Sequence, residues 1–194
     1  MKLEENQLFH FYNQGNNKER IFLSRDNQLF FLEKFRKFVL PHCNVLAYCL
    51  MPNHFHFLIS TTEASTREIK VGALNVTALN NGFRMLLSSY AQAFNKQINR
   101  TGSLFRQRTK SKLLDESKNY PYICFNYVHQ NPMVAGLVSK MEDWEFSSFQ
   151  DYTGMRNGTL CDKTLATQLL DLDLKTLYDE SYQIISEEKQ KEMY

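Results

Sequence analysis

His54 and His56 open an apolar run, His54-Phe-His-Phe-Leu-Ile-Ser60, whose side chains alternate with period two. On a strand both imidazoles then point to one face, while Phe55, Phe57 and Ile59 point to the other. Two imidazoles on one rigid face suit a divalent metal and leave coordination positions for a substrate. Two histidines on an exposed sheet face would read the same. Tyr127 and Asn131 lie four residues apart in a helical segment, on one face and a turn apart. Asn131 offers a carbonyl oxygen as a third ligand. Tyr127 offers a phenolate nucleophile, weak at neutral pH unless a base or a metal lowers its pKa. A core tyrosine with its hydroxyl bonded is the commoner fate of such a residue. The third element is a basic stripe: Arg106, Arg108, Lys110 and Lys112 recur at every second position. On a strand they share one face at intervals of about 6.6 Å, twice the rise per residue. That spacing is similar to the phosphate repeat of a stretched single strand. A charged edge strand protected against aggregation has the same pattern. Arg84, Lys96 and Arg100, in and just after the preceding helix, tilt the balance towards nucleic acid. Arg84 and Arg100 therefore join the stripe as candidate DNA contacts.

The elements that must hold these groups can be read in order. Leu8 to Tyr12 is strand-like, and Asn13 to Asn17 carries turn residues. Asn27 to Leu40 has helical spacing and meets a stop at Pro41. Asn44 to Met51 and His54 to Ser60 flank Pro52-Asn53 and form an antiparallel hairpin. Thr61 to Asn80 is polar and weakly patterned, a loop with a short helix. Phe83, Leu86, Leu87, Tyr90, Ala91, Phe94 and Ile98 line one side of an amphipathic helix. Ser103 to Leu114 reads as a strand. A helix capped by Ser117 or Asn119 runs to Asn131, with Pro121 in its first turn and Pro132 as its stop. Turn plus helices follow Tyr152, as in Thr164 to Leu174. Strand, helix, hairpin, helix, strand, helix is an α+β layout: helices packed on an antiparallel sheet, close to a ferredoxin-like split βαβ.

Composition narrows the class. The 194 residues are 43% hydrophobic and 13% aromatic, enough for the core of one ordinary domain. No apolar run is long enough to span a bilayer, and Val45 to Met51 stops at Pro52. The first residues carry Glu4 and Glu5 where a signal peptide needs bases, so a cytoplasmic, nucleoid-associated protein with no membrane partner is expected. Cys43, Cys49, Cys124 and Cys161 have no CxxC spacing and read as reduced, packed thiols. The net charge is only +2, but it is unevenly spread. Asn81 to Lys118 holds eight bases against two acids, whereas Met141 to Tyr194 holds five against twelve. A basic middle and an acidic tail suggest one face for a polyanion.

These motifs converge on a family. Tyr48-Cys-Leu-Met-Pro-Asn-His-Phe-His-Phe-Leu-Ile59 closely resembles the HUH segment of single-tyrosine transposases. Ser89-Tyr-Ala-Gln-Ala-Phe-Asn95, with Arg100-Thr-Gly-Ser-Leu-Phe-Arg-Gln107, is similar to that family's middle helix and following strand. Tyr127-Val-His-Gln-Asn-Pro-Met-Val-Ala-Gly-Leu-Val138 resembles its tyrosine block. Trp144-Glu-Phe-Ser-Ser-Phe-Gln-Asp-Tyr152 resembles the tryptophan, paired serines and DY of the REP-associated branch. The four motifs are collinear and cover roughly Leu8 to Tyr152, so residues 1–152 are expected to form an HUH domain and residues 153–194 an acidic helical extension. The resemblance implies a ferredoxin-like, RRM-like HUH fold acting on single-stranded, hairpin-ended DNA. It implies that Tyr127 attacks the scissile phosphate and keeps the 5′ side, that His54, His56 and Asn131 hold Mg²⁺ or Mn²⁺, and that a 3′-OH later reverses the step without ATP. A homodimer is compatible with it, since insertion-sequence relatives act as dimers and the REP-associated branch need not. Val134 departs from the family block, which often has Arg there.

Two other classes compete. One is a domesticated relative that binds nucleic acid without chemistry, stacking bases on Phe9, Phe11, Phe55 and Phe57 if these are exposed. The other is a metal hydrolase using water, which would keep the histidines yet tolerate Tyr127→Phe. The transposase reading requires His54, His56, Tyr127 and Asn131 to meet in space; a binding module has no such need.

Overall fold

Leu8–Gln14 (β1) sets the geometry of the whole molecule, because Phe9 and Phe11 alternate with His10 and Tyr12 along it. The computed structural model describes residues 3–115, 119–186 and 188–189, and Ser117, one of the two candidate helix caps, lies outside them. After β1 the chain forms α1 (Arg25–Phe38), β2 (Cys43–Met51), β3 (His54–Thr61), a single turn α2 (Glu63–Thr66) and a small hairpin of β4 (Glu68–Val71) and β5 (Leu74–Thr77). Then come α3 (Ala78–Gln97), β6 (Lys110–Leu113), α4 (Tyr120–Val134) and three short helices, α5 (Phe149–Tyr152), α6 (Lys163–Leu169) and α7 (Leu177–Ser181). The main sheet has the order β2-β3-β1-β6 with every neighbour antiparallel. Two βαβ units, β1-α1-β2 and β3-α3-β6, interleave in it, which is the ferredoxin-like arrangement.

Helices cover both faces. On one, α1 and α3 bury the phenylalanines: Phe35 stacks on Phe57 at 4.0 Å between ring centres, Phe83 on Phe11 at 4.7 Å, and Phe31 packs on Phe55 at 5.1 Å. Ser24 caps α1 by accepting the Asn27 N–H. The two helices approach closely at Gly82, where a Cβ would lie 2.3 Å from the Phe38 carbonyl oxygen. On the other face, α4 crosses β2, β3 and β1 above the histidines. The outer edge of β2 is closed by the chain that follows α4. Leu50 N–H donates to the Phe146 carbonyl (2.9 Å), Ser148 N–H to the Tyr48 carbonyl (3.0 Å) and Asp162 N–H to the Val45 carbonyl (2.9 Å), so that edge offers no template for another strand. A pair between Arg156 and the buried Asp151 (2.6 Å) staples this segment, and Gly158 N–H adds a third donor to the carboxylate at 2.9 Å. The acidic tail also packs on α4: Gln130 Nε2 donates to the carbonyls of Ser181 and Gln183, each at 2.8 Å. No helix among the described residues is long and apolar enough to cross a membrane.

Four sequence expectations need correction. Ser103 to Leu114 is not one strand: only Lys110–Leu113 forms a continuous ladder with β1, and beyond a break Arg106 N–H donates to the Gln14 carbonyl at 2.9 Å. Between the Tyr12↔Lys110 pair and the Gly15↔Phe105 bridge, β1 takes three steps while the opposite chain takes five, so two residues must bulge out. Thr61 to Asn80 contains the β4–β5 hairpin as well as a short helix, turned by Gly72 at φ +59°. Pro132 does not stop α4, which runs on to Val134. In the last turn a proline removes only one backbone bond, and Gly136 at φ +69° ends the helix instead. The helix expected over Thr164 to Leu174 closes at Leu169, with Asp171 at φ +50° just beyond.

Candidate active site

The Pro52-Asn53 turn places His54 and His56 at the start of β3, and the pleat puts both rings on the α4 side, 4.8 Å apart between centres. His54 Nδ1 lies 2.6 Å from Asn53 Oδ1. Asn53 Nδ2 donates to the Lys18 carbonyl at 3.3 Å, so Oδ1 accepts and the His54 proton sits on Nδ1. His56 is fully buried, and its Nδ1 meets His10 Nε2 at 2.8 Å. Burial pushes the His54 pKa down to about 4, opposed by the Asn131 side chain, which favours the charged form of the ring. Burial first, then the neighbouring His10 and His54, holds His56 well below the ordinary histidine value. Both rings are therefore neutral at pH 7, the state in which an imidazole nitrogen can ligate a cation.

Helix α4 supplies the rest. Tyr127 is buried and sits edge-on to both His56 (5.5 Å) and His10 (6.0 Å). Asn131 is still helical despite the following proline, and its Nδ2 donates to the Tyr127 carbonyl at 2.7 Å, which leaves its carbonyl oxygen unclaimed by the helix and close enough to favour a charged His54 ring. The register of α4 is fixed from behind. His129 Nε2 meets Ser148 Oγ at 2.8 Å, and the same Oγ accepts the Tyr48 N–H at 2.9 Å. The second of the paired serines thus ties the tyrosine helix to β2.

The four residues singled out for chemistry meet. A cleft of about 360 Å³ opens beside the histidines, lined by His54, His56, Tyr12, Gln14 and the basic Arg106, Arg108 and Lys110. The basic stripe reaches this place differently than expected. Lys110 and Lys112 lie on β6 opposite Tyr12 and His10, on the histidine face, whereas Arg106 and Arg108 ride on the bulge. Those two arginines also rim a groove of about 610 Å³ on the phenylalanine side, together with Arg84 from α3; among the described residues no carboxylate lines either space. Arg100 lines neither: its Nη2 is paired with Glu19 (2.8 Å) and donates to the Ser103 carbonyl (3.1 Å). Sequence reasoning passed over His10. Its signal was present, a histidine between Phe9 and Phe11 in a period-two strand. Phe9, Phe11, Phe55 and Phe57 are all buried under α1 and α3, which removes the base-stacking platform of an RRM-like module.

The fold and site together define a class: a ferredoxin-like sheet that carries paired histidines on one strand and a tyrosine on the helix above them. No family model matches the chain. It is similar to a Haemophilus influenzae protein named as a REP-associated tyrosine transposase, 27% identical over 106 residues, which are 54% of this chain. The match spans 57% of the length of that curated relative. Its fold is that of a solved REP-associated tyrosine transposase bound to a REP hairpin, with a TM-score of 0.56, 16% identity, and coverage of 82% of this chain and 90% of that one.

Proposed function

We propose that the protein binds single-stranded, hairpin-ended DNA and cuts and rejoins it through a tyrosine–DNA intermediate, working at the nucleoid in the cytoplasm. One observation carries this reading: Tyr127, His54, His56 and Asn131 converge beside a cleft rimmed by Arg106, Arg108 and Lys110. The Tyr127 oxygen attacks the scissile phosphorus, the bond to the 3′ oxygen breaks, and that oxygen leaves as a 3′-OH while the 5′ phosphate stays on the tyrosine. Attack by a 3′-OH on the phosphotyrosine reverses the exchange, so joining needs no nucleotide hydrolysis. The donor set of neutral His54 and His56 with the Asn131 carbonyl fits Mg²⁺ or Mn²⁺, which when bound polarises the phosphate and stabilises the charge of an in-line displacement. The basic side chains hold the flanking phosphates and bring the strand over the tyrosine. The hairpin-bound relative supports the choice of substrate.

The test is to incubate a 5′- or 3′-labelled single-stranded hairpin library with Mn²⁺ and compare wild type with Tyr127→Phe on denaturing gels. A metal-dependent covalent adduct on the 5′ side, lost in the variant, is the expected result. Cleavage that survives the substitution would make water the nucleophile. Binding with no cleavage of any library member would leave a module that kept the fold and lost the reaction.

A further inference from the structure

We propose that His10 is a positioning residue of this site: its Nε2 accepts the Nδ1–H of His56 and so holds His56 in the tautomer whose Nε2 carries the ligating lone pair. The inference rests on the reading of His56 as a metal ligand. In the structure the two rings lie 2.8 Å apart nitrogen to nitrogen, nearly parallel (21°) with centres separated by 5.0 Å, and both are fully buried. His10 comes from β1, the central strand beside β3, where it pairs with Leu58 across one ladder and Lys112 across the other.

The two ligand histidines are oriented by different devices. His54 has an amide oxygen as its partner, an atom that can only accept, so its tautomer is decided by chemistry alone. His56 has another imidazole, which can donate or accept, so the proton between them has two possible homes. Only with the proton on His56 Nδ1 does His56 present the same ring nitrogen as His54. Partners of this kind fix ring orientation and basicity in metal-binding histidines. Tyr127 sits edge-on to both rings, so a reoriented His56 would also disturb the seat of the nucleophile.

The experiment is long-range ¹H–¹⁵N correlation on uniformly labelled, metal-free wild-type protein, assigned with His10→Gln and His10→Phe, alongside titration of each protein with Mn²⁺ by calorimetry. Wild type is expected to show His56 protonated at Nδ1. His10→Phe keeps a flat ring but has no acceptor; it is expected to shift His56 towards the Nε2-protonated form and to weaken Mn²⁺ binding by roughly 10- to 100-fold. His10→Gln, whose oxygen can accept, is expected to recover much of that loss. A wild-type spectrum with His56 protonated at Nε2 overturns the proposal whether or not the variants fold, and so does unchanged Mn²⁺ affinity in a folded His10→Phe. A wild type that binds no Mn²⁺ overturns the metal reading and this proposal's functional consequence together, while the tautomer assignment still reports whether His10 orients His56.

Discussion

The two faces of the main sheet are made from alternate residues of the same strands, and they are built to opposite specifications. On the α1 and α3 side, Phe9, Phe11, Phe55 and Phe57 meet Phe31, Phe35 and Phe83, a wholly apolar contact whose partners need only shape. On the α4 side, His10, His54 and His56 meet Tyr127 and Asn131, and each polar atom must find a specific partner at hydrogen-bond distance. Burying such groups costs free energy that only well-placed partners offset. A single strand can carry both because the pleat separates them by one residue, so the phenylalanine face holds rigid the backbone from which the histidines project. Apolar packing and the polar candidate site are thus segregated by parity along β1 and β3.

Substitutions of opposite parity should break this division most visibly. Phe57→Ala removes a ring stacked at 4.0 Å on Phe35 and is expected to cost about 3–5 kcal/mol of stability, measured by urea unfolding. At low temperature, where the variant still folds, its adduct yield per folded molecule should be near that of wild type. His54→Ala should do the reverse. Its ring is only partly buried and holds one hydrogen bond to Asn53, so the unfolding free energy should fall by about 1 kcal/mol, while adduct formation falls by roughly 10²-fold or more. Equal losses of stability and activity in both variants would show that the two faces are not separable.

Parity is also what made part of the molecule legible from sequence. His54 and His56 against Phe55 and Phe57 is a period-two statement, Tyr127 and Asn131 a helical one, and Pro52-Asn53 forces the hairpin; each depends only on neighbours along the chain. What stayed hidden depends on which strands lie side by side. His10 becomes a partner of His56 only because β3 pairs with β1, and nothing within Leu8 to Tyr12 declares that pairing. The bulge at Arg106 and Arg108 exists only because the opposite chain has two residues too many against β1, a mismatch between segments nearly a hundred residues apart. The β4–β5 hairpin did carry a local sign, Gly72 between Ile69-Lys70-Val71 and Leu74-Asn75-Val76, but the polar residues around it masked so short an alternation.

The buried thiols are expected to make the protein sensitive to alkali. Cys49 pairs with His56 in the β2–β3 ladder and Cys124 lies on α4, both fully buried, and burial pushes both thiols up. Burial also raises Cys43 and Cys161 to about 12. A thiol whose folded pKa exceeds its unfolded value contributes fully below the unfolded value, 9.0, and that contribution is lost as pH rises towards the folded one. Stability should therefore be flat from pH 7 to about 9 and fall above it, by about 1.4 kcal/mol per pH unit for each thiol. Urea midpoints across that range for wild type and a Cys49→Ala, Cys124→Ala double variant would sharpen the point. A shallower alkaline slope in the double variant is expected; an unchanged slope would place the sensitive groups elsewhere.

The smallest effects should come from the rim, where the comparison becomes one between arginines that face solvent and an arginine already occupied. Arg106 and Arg108 stand on the bulge between the histidine cleft and the phenylalanine-side groove, with no carboxylate among the described residues lining either space. On the proposed function each is expected to neutralise one phosphate. Measured with a polythymidine oligonucleotide by fluorescence anisotropy over a range of salt, Arg106→Ala and Arg108→Ala should each weaken binding several-fold. Each should also make the slope of log K against log salt shallower by about 0.7, the value for one phosphate contact on a single strand. Arg100→Ala provides the contrast. Its guanidinium is engaged by Glu19 and the Ser103 carbonyl, fastening the loop after α3 to the turn after β1. That substitution should cost at most about 1 kcal/mol of stability and leave the salt slope unchanged. A slope that drops for Arg100→Ala but not for the two bulge arginines would move the path of the DNA off the cleft and along the end of α3.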